Sequence, residues 1–181
     1  MGRHNILNAL AAAAVTLANG VSLSDVKTGL ENIQPEHGRM ETKKGQKGAV
    51  IIDDTYNANP LSLKAAIESI RDYTQKKILV LGDMRELGEQ GVSLHRECGR
   101  FAKANGIDIL LATGDLTQHT VNSFGEKARF FADHESLITA LKACLDKDVL
   151  ILVKGSRSMK MEKIVQAVIS SGEKNEICTR G

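Results

Sequence analysis

Short apolar runs alternate with helical patterns along most of this chain, and that alternation restricts the fold more than any other feature. Ala49 to Ile52, Lys77 to Leu81 and Val149 to Val153 read as buried strands, and the last has no polar position at all. Asp108 to Ala112 and Ala128 to Phe131 read as two more. Helical spacing fills the gaps: Leu61 to Tyr73 (with Leu63, Ala66, Ile67 and Ile70 inward), Gly91 to Asn105, a segment ending at Phe124, Ser136 to Leu145, and Lys160 to Ser170. Strands separated by such helices imply a parallel sheet covered on both faces. Gly38 to Lys43 and Gly48 to Ile52 are joined by the turn Lys44-Gly45-Gln46-Lys47 and predict one antiparallel edge pair. The expected fold is therefore α/β, a Rossmann-like, mostly parallel sheet.

Upstream, Asn5 to Ala18 reads as an Ala-rich helix with Leu7, Leu10, Ala11, Ala14 and Leu17 on one side. A second helix starts at Ser24-Asp25, carries Val26, Leu30 and Ile33, and is stopped by Pro35. These helices have no sheet of their own to pack on. The pattern changes near Pro35 to Gly38, which predicts units 1–36 and 37–181.

The bulk numbers exclude several classes. The chain has 181 residues, 24 Lys plus Arg against 22 Asp plus Glu, and 3% aromatic residues with no Trp. A net charge of +2 and so few rings argue against nucleic-acid binding. The run Ile6 to Val21 is too short and too often interrupted to span a bilayer. Cys98, Cys144 and Cys178 lack metal-ligand spacing and read as reduced thiols in a cytosolic protein.

In a parallel sheet, ligands bind at the loops that leave the carboxyl ends of strands. Four such loops fall here. Asp53-Asp54-Thr55-Tyr56-Asn57-Ala58-Asn59-Pro60 holds two carboxylates, a phenol and two amides, with Asn59-Pro60 reading as a helix cap. Gly82 to Gly88 holds Asp83, Arg85 and Glu86; a charge-compensated surface loop and a substrate loop fit its spacing equally. Thr113-Gly114-Asp115 is the third. The fourth, Lys154-Gly155-Ser156-Arg157-Ser158-Met159, combines two cations, a glycine that lets backbone approach a ligand, and an expected helix N-terminus suited to a carboxylate or phosphate. His95 is given no chemical role, and Arg39 reads as an ordinary surface residue. No Gly-x-x-x-x-Gly-Lys-Ser/Thr element occurs, and Gly45-Gln46-Lys47-Gly48 joins two strands, so it is a turn.

Taken together these segments resemble the Mur ligase family over essentially the whole chain. Gly2-Arg3-His4-Asn5-Ile6-Leu7-Asn8 is similar to the last element of the family's central ATP-binding domain. Gly38-Arg39-Met40, the Asp53–Pro60 loop, Gly82-Asp83-Met84-Arg85-Glu86-Leu87-Gly88 with His95, and Lys154 to Met159 with Met161-Glu162 resemble the MurF branch. The resemblance implies a C-terminal domain, preceded by a helical remnant of the central domain, with Met1 a fragment start. It implies an ATP-dependent ligase that adds D-alanyl-D-alanine to a UDP-N-acetylmuramoyl-tripeptide in peptidoglycan synthesis, serving bacterial cell-wall biogenesis, cell shape and division. A monomeric, cytoplasmic protein is expected, inactive alone because the phosphate-binding loop, the Mg2+-binding Glu and His and the carbamylated lysine are missing. By resemblance, Asn8 contacts adenine and Asn5 supports that site. Arg39 reaches the terminal phosphate, Asp54 accepts from the ribose, and Tyr56, Asn57 and Asn59 shape the ATP-facing loop. Lys154, Ser156 and Arg157 line the dipeptide side with Asp83 and Arg85 nearby. The alternatives are a MurE- or folylpolyglutamate-type ligase domain and a non-catalytic α/β module that binds an anion.

Overall fold

The computed structural model describes residues 3–32, 37–170 and 172, with side chains from residue 6 onward. Ile33, Pro35, Cys178, the tail beyond Gly172 and the Asn5 side chain lie outside the described residues. The chain divides into two compact units, Met1–Pro35 and Glu36–Gly181.

The first unit is a helix pair, α1 (Arg3–Ala18) and α2 (Leu23–Glu31). Helix α2 starts earlier than Ser24, because the extended backbone of Ser22 lets its hydroxyl accept the Asp25 N–H at 3.2 Å. Val26 is buried, while Leu7, Leu10 and Leu17 on α1 are exposed. The apolar side of α1 thus has little to cover it within the pair. No helix among the described residues is long and apolar enough to cross a membrane.

The second unit runs β1 (Glu41–Lys44), β2 (Val50–Asp54), α3 (Pro60–Ser69), β3 (Lys76–Gly82), α4 (Gly91–Ala104), β4 (Ile109–Thr113), α5 (Thr117–Phe124), β5 (Ala128–Phe131), α6 (His134–Ala143), β6 (Val149–Lys154) and α7 (Glu162–Val168). The strands form one sheet of order β1-β2-β6-β3-β4-β5. Only β1 is antiparallel to its neighbour; the other ladders are parallel. Strand alternation divides the core in two. Ile51, Ile78, Val80, Leu111, Ile151 and Val153 meet α6 and α7 through Leu137, Leu141, Ile164 and Val168. Ile52, Leu79, Leu81, Leu110, Leu150 and Leu152 meet α3, α4 and α5 through Leu63, Ile67, Cys98, Ala102 and Phe124. The α/β architecture with one antiparallel edge is as the alternation implied. Strand β6 is central because it returns between β2 and β3, and all six of its residues are buried.

Several boundaries differ from the sequence reading, each for a local reason. Strand β1 begins at Glu41 rather than Gly38, since Gly38 and Met40 have φ of 72° and 50°. Strand β2 continues through both acids, which pair with Val153 and Lys154 of β6. The β1–β2 connection contains a 3-10 turn at Gln46–Gly48. The largest change follows β6. A 3-10 turn at Arg157–Met159 is ended by left-handed Lys160 (φ 51°), and α7 starts only at Glu162. The basic loop therefore does not open onto a helix N-terminus.

Candidate functional site

Parallel pairing puts the ends of β2, β3, β4 and β6 on one edge of the sheet, and antiparallel β1 brings the Gly38–Met40 turn to the same edge. Asp54 and Lys154 are direct register partners. Because side chains in paired register share a face, both point toward the α3 side. The Lys154 ammonium donates to Asp54 Oδ2 and, at 2.9 Å, to the Asn57 carbonyl. Asp54 Oδ1 accepts the Met40 N–H at 3.2 Å. Lys154 is 2% exposed, so its charge is spent within the site.

The two adjacent acids divide the work because alternation sends them to opposite faces. Asp53 Oδ1 accepts the Thr55 hydroxyl at 2.7 Å and its N–H at 3.3 Å, which folds the start of the loop. Burial raises the Asp53 carboxyl above its ordinary value, with Thr55 and the Lys43 charge pulling the other way. Lys43, itself buried, lies 2.6 Å from Glu41 and 3.9 Å from Asp53. Burial alone would raise Glu41 as well, but the Lys43 hydrogen bond and charge outweigh it and hold Glu41 below the usual range. The loop ends in a capping box: Asn59 Oδ1 accepts the Ser62 N–H at 2.8 Å, Ser62 Oγ accepts the Asn59 N–H, and Pro60 begins α3. The Asn59 side chain is thus used locally.

Tyr56 is held from the other side. Its N–H donates to the Gly38 carbonyl at 3.0 Å, and a Cβ on Gly38 would sit 3.0 Å from that nitrogen. The Arg39 guanidinium lies 4.3 Å from the Tyr56 ring centroid, a cation–π contact at an exposed position. Asn57 is exposed, and its Oδ1 turns back to the Ala58 N–H.

The β3 and β6 loops are joined by one main-chain bond and one bond to a serine hydroxyl. Ser156 N–H donates to the Asp83 carbonyl at 3.0 Å, and Arg85 N–H donates to Ser156 Oγ at 2.8 Å. Asp83 is fully buried and caps α5 from a distance, its Oδ1 accepting the Thr117 N–H at 2.9 Å. Its Oδ2 has no hydrogen-bond partner, with the Arg85 guanidinium 3.5 Å away. Gly114 permits this arrangement, because a Cβ there would fall 2.5 Å from the Asp83 carboxyl carbon. Gly155 serves packing rather than ligand approach: its Cβ would lie 2.6 Å from Met161 Cγ and 3.1 Å from the Gly82 Cα. The Arg85 and Arg157 side chains are 52% and 67% exposed, so they face solvent where Asp83, Lys154 and Ser156 do not.

His95, given no chemical role by its sequence context, has a structural one. It is fully buried; Nε2 accepts the Met84 N–H at 3.2 Å and Nδ1 donates to the Gly91 carbonyl at 2.8 Å. Those partners require the neutral Nδ1–H tautomer. Burial lowers its pKa, against the Gly91 bond and the Asp83 charge. Its place at i+4 from Gly91, just after a polar loop, and its part in the family resemblance were the signals available. Thr117 gave none, since its contribution is a main-chain N–H. Asn8 is exposed on α1 in the first unit.

Residues 38–157 match the Mur ligase, glutamate ligase domain family. The chain is 40% identical over 173 residues to the UDP-N-acetylmuramoyl-tripeptide–D-alanyl-D-alanine ligase of Escherichia coli, covering 94% of this chain and 38% of the relative. It is 38% identical to the enzyme of the same name from Bacillus subtilis, over 94% of this chain and 39% of that one. Among solved structures, MurF from Acinetobacter baumannii superposes with a TM-score of 0.81 at 34% identity, covering 91% of this chain and 37% of that one. MurF ligase from Thermotoga maritima in complex with ADP gives 0.77 at 25% identity, over 92% and 38%. The chain thus spans well under half the length of these relatives.

Proposed function

The chain belongs to the Mur ligase family, and from that premise we propose that it is the C-terminal portion of an ATP-dependent ligase joining D-alanyl-D-alanine to UDP-N-acetylmuramoyl-tripeptide. The observation that carries this reading is the convergence of Asp54 and Lys154, with the loops they begin, on one sheet edge. The relatives from Escherichia coli and Bacillus subtilis are named for these two substrates, which favours this branch over a MurE- or folylpolyglutamate-type ligase. Residues 1–36 are assigned to the end of a preceding ATP-binding domain, in keeping with a helix pair that leaves Leu7, Leu10, Leu17 and Leu23 exposed, and residues 37–181 to the C-terminal domain.

The residues present fit a nucleotide. A carboxylate has about four lone-pair sites, and Asp54 uses one for the Met40 N–H and one for Lys154. Its side chain keeps 13% of its surface exposed, which leaves acceptor capacity for the ribose hydroxyls. Arg39 presents an exposed guanidinium, whose planar fork suits phosphate oxygens. Tyr56 and Asn57 form the outer wall of this half, and Asn59 shapes it by starting α3. ATP supplies the phosphoryl group that activates the substrate carboxylate toward the dipeptide amine. Mg2+ and the contacts of Asn5 and Asn8 belong to the preceding domain. On the other half, Arg85 and Arg157 offer exposed cations to the dipeptide carboxylate, and Asp83 and Ser156 hold their loops in place. A monomer acting in the bacterial cytoplasm, in cell-wall growth, completes the proposal.

ADP release coupled to ligation tests it. The chain with its preceding domains turns over with D-alanyl-D-alanine and not with L-alanyl-L-alanine, and the 181-residue chain alone gives no turnover. Equal use of both dipeptides, or ligation by the isolated chain, overturns the reading.

A further inference from the structure

Lys154 is 2% exposed, and a buried ammonium is tolerated only when paired and hydrogen-bonded. Its pairing runs toward one half of the site. One donor goes to Asp54 Oδ2 and another, at 2.9 Å, to the Asn57 carbonyl. Asp54 Oδ1 in turn accepts the Met40 N–H, next to Arg39, which lies over Tyr56. A single ammonium thus connects β6 to the β2 loop and, through Asp54, to the Gly38–Met40 turn. An incoming peptide carboxylate could take this cation only by leaving Asp54 charged and unpaired in a buried place. The Arg85 and Arg157 side chains also lie near carboxylates, at 3.5 Å from Asp83 and 3.6 Å from Glu162, but both are more than half exposed and can meet a peptide carboxylate from solvent while those looser contacts persist.

We propose that Lys154 is a positioning residue of the nucleotide half, fixing the Asp54 carboxylate and the Asn57 main chain, and not the receptor of the dipeptide carboxylate. This inference rests on the ligase reading above. Lys154 also stands where the halves join, because Gly155 and Ser156 follow it directly and the Ser156 N–H bonds the Asp83 carbonyl.

The test is steady-state kinetics of the full-length ligase, with ATP and dipeptide varied separately. Lys154→Met raises the KM for ATP by about tenfold or more and leaves that for the dipeptide within about twofold. Lys154→Arg keeps the buried charge and gives the same split if the Met variant does not fold. Asp54→Asn moves the same constant, and the double variant Asp54→Asn/Lys154→Met is no worse than the larger single effect, since the two act as a unit. A rise confined to the dipeptide KM, equal rises in both, or additive effects on the ATP KM overturn the inference. An unaltered enzyme with no ATP-dependent ligation is a separate outcome, which removes the ligase reading and this inference with it.

Discussion

His95→Leu separates what the buried imidazole does from the space it fills. Leucine occupies a similar volume but cannot accept the Met84 N–H. The Gly91 carbonyl keeps its place in the first turn of α4, so the main loss is one orphaned buried donor, about 1–3 kcal/mol. With a urea slope of about 2 kcal/mol per molar, a 2 kcal/mol loss moves the unfolding midpoint down by about 1 M. Far-UV circular dichroism is the suitable signal, because the chain has no Trp and only 2 Tyr. The pH dependence gives a second readout. Burial lowers the folded pKa of His95 below its unfolded value. Below about pH 6.5 the unfolded chain therefore binds a proton that the folded chain refuses. The stabilisation is fully present above that pH and is lost as pH falls toward the folded value, at up to about 1.4 kcal/mol per pH unit. The leucine variant lacks this proton, and the other histidines cancel in the comparison. The stability gap between the two proteins is thus widest near pH 8 and narrows on acidification. A gap that stays constant from pH 8 to pH 5.5, or no gap at pH 8, refutes the neutral, accepting imidazole.

Three further outcomes are expected. Gly114→Ala must hold φ of 110° with a Cβ 2.5 Å from the Asp83 carboxyl carbon, and loses about 1–3 kcal/mol; an unchanged melting temperature contradicts the contact. Gly99→Ala puts a Cβ 2.4 Å from the Thr120 carbonyl oxygen and 2.2 Å from Ser123 Oγ, forcing α4 from α5, whereas Gly29→Ala in α2 meets nothing and should stabilise by about 0.5–1 kcal/mol; urea titrations of the two should move in opposite directions. The Cys98 thiol is 1% exposed and pushed by burial up to about 11, so of the two cysteines among the described residues thiol reagents at pH 8 label the half-buried Cys144 before Cys98, which reacts only when the protein is unfolded.

The sheet was legible because its signal is periodic and local. The unbroken run Val149 to Val153 belongs to the strand most enclosed by neighbours, and Leu63, Ala66, Ile67 and Ile70 are all buried as their spacing implied. The start of β1 and the break before α7 were not legible, because they depend on left-handed backbone at Met40 and Lys160, residues with no preference for that region. Glycine misled for a related reason. Gly155 reads in sequence as access for a ligand, but the open space beside it belongs to the Met161 side chain and the Gly82 backbone.

At the site, the sequence shows which groups meet but not which of them face solvent. Asp54, Asp83 and Lys154 are as polar as Arg39, Arg85 and Arg157, yet the first three are buried and the second three exposed. Each of the two buried acids is held by donors from a different segment: Asp54 by Met40 and Lys154, Asp83 by Thr117. Such bonds fix loop positions and also keep the negative charge beneath the surface. Of these six groups, the three left on the outside are guanidinium forks over buried carboxylates, with the acids Glu86 and Asp115 also exposed in the neighbouring loops. A surface built that way favours phosphate and carboxylate oxygens through the outer residues, and its geometry depends on the inner ones. That division predicts that substitutions at Arg85 or Arg157 weaken binding without loss of fold, while substitutions at Asp83 disturb the loops and α5 before any ligand arrives.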